Sequence, residues 1–264
     1  MRRPPLPPLL LLFVSVPVAA AAQPASAAPA FNTYAAAVES RLAQQHRSPS
    51  IFLAPVDPSQ QDGLRQGHLV ITHLNPPGHP PGNDPPGAII HHWRGTAFAP
   101  GARIADFDRI MRDFPAYPRF YAPHVVEARV LSEHGDSYHI FMRLHQQQVI
   151  SIVFDTAYDV TFGRLDPGHA YSLSRSTQVS EISSPGTTHE RPLSPADDHG
   201  FLWRINTYWS AEERDGGLYL QIESISLTRS IPAGLNWAVR PFVDSIPRQS
   251  LEFTLRSTLN ALRK

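Results

Sequence analysis

Phe107-Asp108-Arg109-Ile110-Met111-Arg112-Asp113-Phe114-Pro115-Ala116-Tyr117-Pro118-Arg119-Phe120-Tyr121, followed by Val125-Val126-Glu127-Ala128-Arg129-Val130, is the stretch on which the fold turns. Ile104, Phe107, Ile110, Met111 and Phe114 recur at helical spacing, so residues 104–114 read as an amphipathic helix. Pro115 and Pro118 each remove a backbone donor and end it. Tyr117, Phe120 and Tyr121 form an aromatic knot directly after the break. From Val125 the period changes to two, and Val126, Ala128 and Val130 share one face of a strand.

Downstream the period of two persists. Tyr138, Ile140, Met142 and Leu144 alternate with polar residues, and residues 149–162 place Ile150, Ile152, Phe154, Thr156, Tyr158, Val160 and Phe162 on one face. Residues 170–182 follow the turn Asp166-Pro167-Gly168. Segments 202–209 and 218–228 flank Asp215-Gly216-Gly217 as a hairpin. A proline- and serine-rich loop is expected over 183–200. Alternation sustained over so many segments predicts an antiparallel sheet. Residues 231–246 are mixed in character. Pro247 then suits a first helical turn, and Leu251, Leu255, Leu259 and Leu262 form one stripe, giving a C-terminal helix of about 16 residues.

Upstream, residues 89–98 read as a strand. Residues 75–87 hold six prolines and three glycines and read as a linker or long surface loop. Residues 64–74 read as a strand. Residues 31–47 read as a short helix with Tyr34, Val38 and Leu42 on its stripe and Glu39, Arg41 and Gln45 on its other faces. The order predicts an α+β class, with a curved antiparallel sheet around a long C-terminal helix and an N-terminal helix/strand extension.

Composition narrows the chemistry. The 264 residues carry 23 basic and 23 acidic side chains and no cysteine. Disulfides, thiolate metal sites, cysteine nucleophiles and lipid-anchored cysteines are excluded, and balanced charge argues against nucleic acid as a partner. Of the 27 prolines, 17 fall in the first 100 residues, so the regular body is expected to start near residue 88. Arg2 and Arg3, an apolar run over 9–18 and the small residues Ala25-Ser26-Ala27 have the form of a cleaved secretory signal over 1–27, with Ala20-Ala21-Ala22 as a second cleavage candidate. A ten-residue run is too short to span a bilayer, so no membrane span is expected in the mature chain, and a periplasmic or secreted location follows. The expected units are a signal over 1–27, an extension with its proline-rich loop over 28–87, and a body over 88–264.

The helix, break, knot and strand of 107–130, together with the tail from Pro247-Arg248-Gln249-Ser250-Leu251 to Lys264, resemble the helix-grip fold of the START, polyketide-cyclase and Bet v 1-like superfamily (SRPBCC). The look is nearest to its coenzyme-Q-binding and cyclase-like branch. The resemblance covers 89–264 and leaves the extension outside. It implies a hydrophobic cavity for a lipid, sterol, quinone or polyketide-like molecule, with no cofactor.

Searching the residues for chemistry yields a short list. Thirteen histidines form no metal-ligand spacing, and nucleophile-elbow, P-loop and dinucleotide motifs are missing. Ser172, Ser174, Ser176 and Ser180 alternate as a solvated face would. On the other face of that strand, Tyr171, Leu173 and Val179 surround Arg175, whose charge needs a partner, and Glu223 is the candidate. Thr207 and Tyr158 offer hydroxyls on apolar-patterned faces. Trp93, Phe154, Tyr158, Trp203 and Trp209 suit a core or a pocket for a flat or long apolar ligand, capped by Leu255 and Leu259 of the last helix. The expectation is an exported protein that binds a hydrophobic small molecule, Arg175 and Glu223 orienting it, with no catalytic residue assigned. The alternatives are a cyclase or aromatase using Glu223 or Asp155 with Tyr158 or Arg175, and a non-catalytic structural or partner-binding domain.

Overall fold

A computed structural model describes residues 20–75, 84–147, 151–230 and 236–263, with backbone only for 236–244. The first helix, α1 (Ala27–Gln45), leads through a short helix α2 (Pro58–Arg65) to strand β1 (Val70–His73). Asp57 caps α2 by accepting the Ser59 backbone N–H, and Pro58 occupies its first turn. The expected strand over 64–74 is therefore shorter at its start, since Leu64 and Arg65 complete the helix. The proline-rich loop falls mostly on 76–83, outside the described residues.

Strand β2 (Ala88–Pro100) opens the body. It is followed by α3 (Ile104–Arg112), the single turn α4 (Tyr117–Phe120) and strands β3 (Val125–His134), β4 (Ser137–Gln147), β5 (Ser151–Asp166) and β6 (His169–Ser183). The two-residue β7 (Arg191–Pro192) interrupts the expected loop and pairs with β6. The hairpin β8 (Arg204–Arg214) and β9 (Gly217–Arg229) turns at Asp215 and Gly216, both with positive φ (56° and 72°). Asp-Gly is a sequence that tolerates this two-residue turn.

The curved sheet runs β1-β2-β9-β8-β6-β5-β4-β3, antiparallel throughout, with β7 beside β6. The final helix, α5 (Asn236–Leu262), lies against one face. It is longer than expected. Pro241 and Pro247 stand inside its 27 residues rather than before them, so at Pro247 packing against the sheet overrides the local cost of a missing donor. The α+β helix-grip arrangement read from the sequence is the observed one.

Side-chain alternation splits the sheet into two faces. The inner face meets α3 and α5. Its core joins Phe107, Ile110 and Phe114 of α3 and its following turn, Tyr158, Val160 and Phe162 of β5, Trp209 of β8, Leu218, Leu220 and Ile222 of β9, and Leu251, Leu255 and Leu259 of α5. Gly95 of β2 sets the closest approach. A Cβ there would lie 2.4 Å from Leu255 Cδ1, so only glycine lets α5 settle at this depth. The outer face is covered by α1, whose Phe31, Tyr34, Val38 and Leu42 pack on Ile90, Tyr208, Ile225 and Leu227. The extension is thus a packed layer of the molecule.

Candidate functional site

On the inner face, register aligns Trp93 with Ser224, Ser224 with Thr207, Thr207 with Ser174 and Ser174 with Val160. This is one rung across β2, β9, β8, β6 and β5. The next rung toward α3 is Gly95, Ile222, Trp209, Ser172 and Phe162, and it is sealed by Leu251 and Leu255. The hydroxyl rung is not sealed in the same way. Ser224 is half-buried, whereas every other residue from Gly217 to Leu227 is buried. Thr207 and Ser174 are half-buried too. The side chains of Ser174, Thr207 and Ser224 bond to no other described residue. At the end of the rung, Trp93 Nε1 is buried and has no acceptor, while its ring lies against His73 at 4.7 Å. A buried donor without a partner and accessible hydroxyls on central strands need explaining. Tyr158 and Phe154 continue the wall on β5, both buried; burial raises the Tyr158 phenol to about 12.

The charged residues expected beside these groups lie elsewhere. Arg175 points to the outer face, where its Nε and NH2 donate to the two oxygens of Glu39 at 2.7 and 2.9 Å. Its partner is therefore Glu39 of α1, not Glu223. Glu223 is also on the outer face, 2% exposed, and accepts from Arg41 at 2.5 Å and Arg94 at 2.7 Å, with His92 Nε2 at 2.9 Å. Tyr34 OH lies 3.0 Å from His92 Nδ1 and extends the network. Burial pushes the Glu223 carboxyl up, but the His92 hydrogen bond and the Arg94 and Arg41 charges outweigh it and hold it at about 2. Trp203 is buried in the α1 layer as well, with Nε1 donating to Asp198. Asp155 is bound by Arg143 at 2.7 Å. Glu223 and Arg175 thus share no face with Tyr158, and each is paired within the layer under α1.

Of the site residues expected from the sequence, Trp93, Phe154, Tyr158, Thr207, Trp209, Leu255 and Leu259 share the inner face, and Arg175, Trp203 and Glu223 share the outer one. Two residues of the rung were missed. Ser174 belongs to the alternation read as a solvated face, yet Ser172 of that alternation is buried beside Trp209. Ser224 carries no signal of its own, because both faces of 218–228 hold apolar residues, Leu218, Leu220 and Ile222 on one and Ile225 and Leu227 on the other. The available signal was the pairing register: once Leu218, Leu220 and Ile222 are taken as inward, Ser224 follows.

No family model matches the sequence, and no curated protein does. Among solved structures, the STAR-related lipid transfer protein (fragment 25–204) from Xanthomonas axonopodis is 16% identical, covering 74% of this chain and 99% of its own, with a TM-score of 0.47. The Zhui aromatase/cyclase from Streptomyces sp. R1128 is 11% identical over 66% of this chain and 94% of its own, TM-score 0.45. Human STARD10 is 8% identical over 78% and 81%, TM-score 0.43. The fold is established by the sheet order and the placement of α5, independently of these likenesses.

Proposed function

We propose that this chain binds a hydrophobic small molecule on its inner face, at the rung Trp93–Ser224–Thr207–Ser174. The observation that carries the reading is that rung: half-buried, unpaired hydroxyls and an orphaned indole donor on central strands, beside the apolar core of the inner face. A ligand seated there is held chiefly by its own apolar area, worth roughly 25 cal/mol per Å² removed from water. A binding role is favoured over catalysis because the strong acid and base groups of the central strands, Glu223 and Arg175, are engaged under α1. We include export in the proposal. Its support is the Arg2-Arg3 start, the apolar run and the small residues before residue 28, and with it the units 1–27, 28–87 and 88–264.

Native mass spectrometry of the protein purified from its own host tests the binding role. The expected spectrum shows an added mass of a few hundred daltons that organic extraction removes. Protein that is ligand-free from every preparation, and stays so when exposed to host lipid extract, contradicts it. N-terminal sequencing of the same material tests export: a start between residues 21 and 28 is expected, and an intact Met1 contradicts it.

A further inference from the structure

We propose that strand β3 is the seam of a symmetric dimer, paired with the β3 of a second copy of this chain; the proposal stands apart from the ligand reading above. β3 ends the sheet, with β4 as its one hydrogen-bonded neighbour among the described strands. Its first residue is tied back, Val125 N–H donating to the Tyr121 carbonyl at 3.0 Å. The opposite edge strand, β1, is four residues long, whereas β3 has ten. An edge of that length presents a row of backbone donors and acceptors to any strand laid beside it. Apolar surface gathers there as well. Among the described residues the exposed large hydrophobic side chains are Ile51, Val126, Val130 and Leu131, and all but Ile51 belong to β3.

The charge pattern of β3 points to its own copy as the occupant. Opposed residues of an antiparallel pair lie on one face of the sheet, so a twofold pairing of β3 with itself centres on a residue. Register shifts at Val126 and Leu131 bound a regular stretch over 127–130. Centring on Glu127 or on Arg129 sets like charge against like, and centring on Val130 sets Glu127 against Glu133. Centring on Ala128 sets Glu127 against Arg129 of the second copy and Arg129 against its Glu127, so both pairs are opposite in sign. The same register brings Val126 beside Val130 of the second copy, twice, and covers apolar surface that is exposed in the single chain. Glu127 and Arg129 lie 3.1 Å apart and both are exposed, so each can turn to the second copy without stranding a buried charge. Edges guarded against pairing carry lysine, proline or inward charge; the two bulge residues here are Val126 and Leu131. A seam of this length covers less than the roughly 1,200 Å² of a stable complex, so the dimer is expected to form with rising concentration.

Sedimentation equilibrium of the purified protein over rising concentration tests this, with two charge reversals. Wild type is expected to pass from the mass of one chain to that of two. Glu127→Arg and Arg129→Glu each bring like charges together at both symmetric pairs, and each is expected to weaken the dimer about tenfold or more. Mixed in equal amounts, the two variants again oppose unlike charges at both pairs and are expected to recover the wild-type affinity. A wild type that stays monomeric up to about 1 mM, including one whose β3 is instead captured by a different protein, overturns the proposal. So do variants that dimerise like wild type, or a mixture no tighter than its components. Amide hydrogen exchange of wild type depends on no variant's folding. Amides within 126–131 are expected to exchange more slowly as concentration rises while those of β1 do not, and unchanged exchange over 126–131 overturns the seam.

Discussion

Glu223 is held from three sides, by Arg41, Arg94 and His92, with 2% of its side chain exposed. Its substitution Glu223→Gln leaves two arginines facing a neutral amide in a buried place. A loss of about 3–5 kcal/mol is expected, because breaking one partner strands the others. Urea unfolding measures it; a loss under 1 kcal/mol would mean that the network is not a stabilising clamp. His46 offers a separate check. Its Nε2 lies 2.8 Å from Ser210 Oγ and its ring stacks on Tyr171. Burial, then the Arg41 charge, lowers its pKa from 6.5 to about 4. The unfolded chain therefore takes up this proton first. The stability tied to neutral His46 is complete above pH 6.5 and disappears as pH falls through 4, up to about 3 kcal/mol. Glu223 works in a lower window, between its ordinary 4.5 and about 2. Urea midpoints should fall between pH 6.5 and 4, and His46→Gln should flatten part of that slope. The rest is shared by His92 and His124, whose pKa values burial also lowers. An unchanged slope in His46→Gln would contradict the assignment. None of these pairings is legible in sequence, since Glu39–Arg175 and Arg41–Glu223 join α1 to strands far along the chain.

At the scale of elements, legibility follows local pattern. The helix at 104–112 and strands β3 to β6 could be read because the spacing of their residues, helical in one and alternating in the others, sets their type. The hairpin could be read because Asp215-Gly216 meets the turn's demand for positive φ. The start of α5 could not, because Pro241 and Pro247 carry a local signal for a boundary that tertiary packing overrides. The role of α1 was half legible. Its stripe of Tyr34, Val38 and Leu42 points to a buried face, but Glu39 and Arg41 looked like its solvent side and instead bind the sheet. The contact of α5 with β2 makes its own prediction. Gly95→Ala places a methyl group against Leu255 and is expected to cost about 1–3 kcal/mol by overpacking. Leu255→Ala is expected to cost about 2–5 kcal/mol by leaving a cavity. The double variant should cost clearly less than the sum, because the new methyl group fills part of that cavity. Additive losses in thermal or urea unfolding would show that the two residues do not touch.

On the scale of the whole molecule, one sheet serves two unlike layers. The outer layer, α1 on β2, β8 and β9, collects the charges of the central strands into a buried clamp. The inner layer, α3 and α5, leaves a rung of neutral hydroxyls beside Trp93. This division moved Arg175 and Glu223 out of the candidate site and brought Ser174 and Ser224 into it. The central claim is that the inner rung is a ligand site, and a titration of the neutral dye N-phenyl-1-naphthylamine tests it most directly. Wild type and Ser224→Phe, both shown to be folded by circular dichroism and cooperative melting, are compared. Saturable binding to wild type that weakens at least tenfold in Ser224→Phe is the predicted result. No saturable binding to wild type, or equal binding by the folded Ser224→Phe variant, would contradict it.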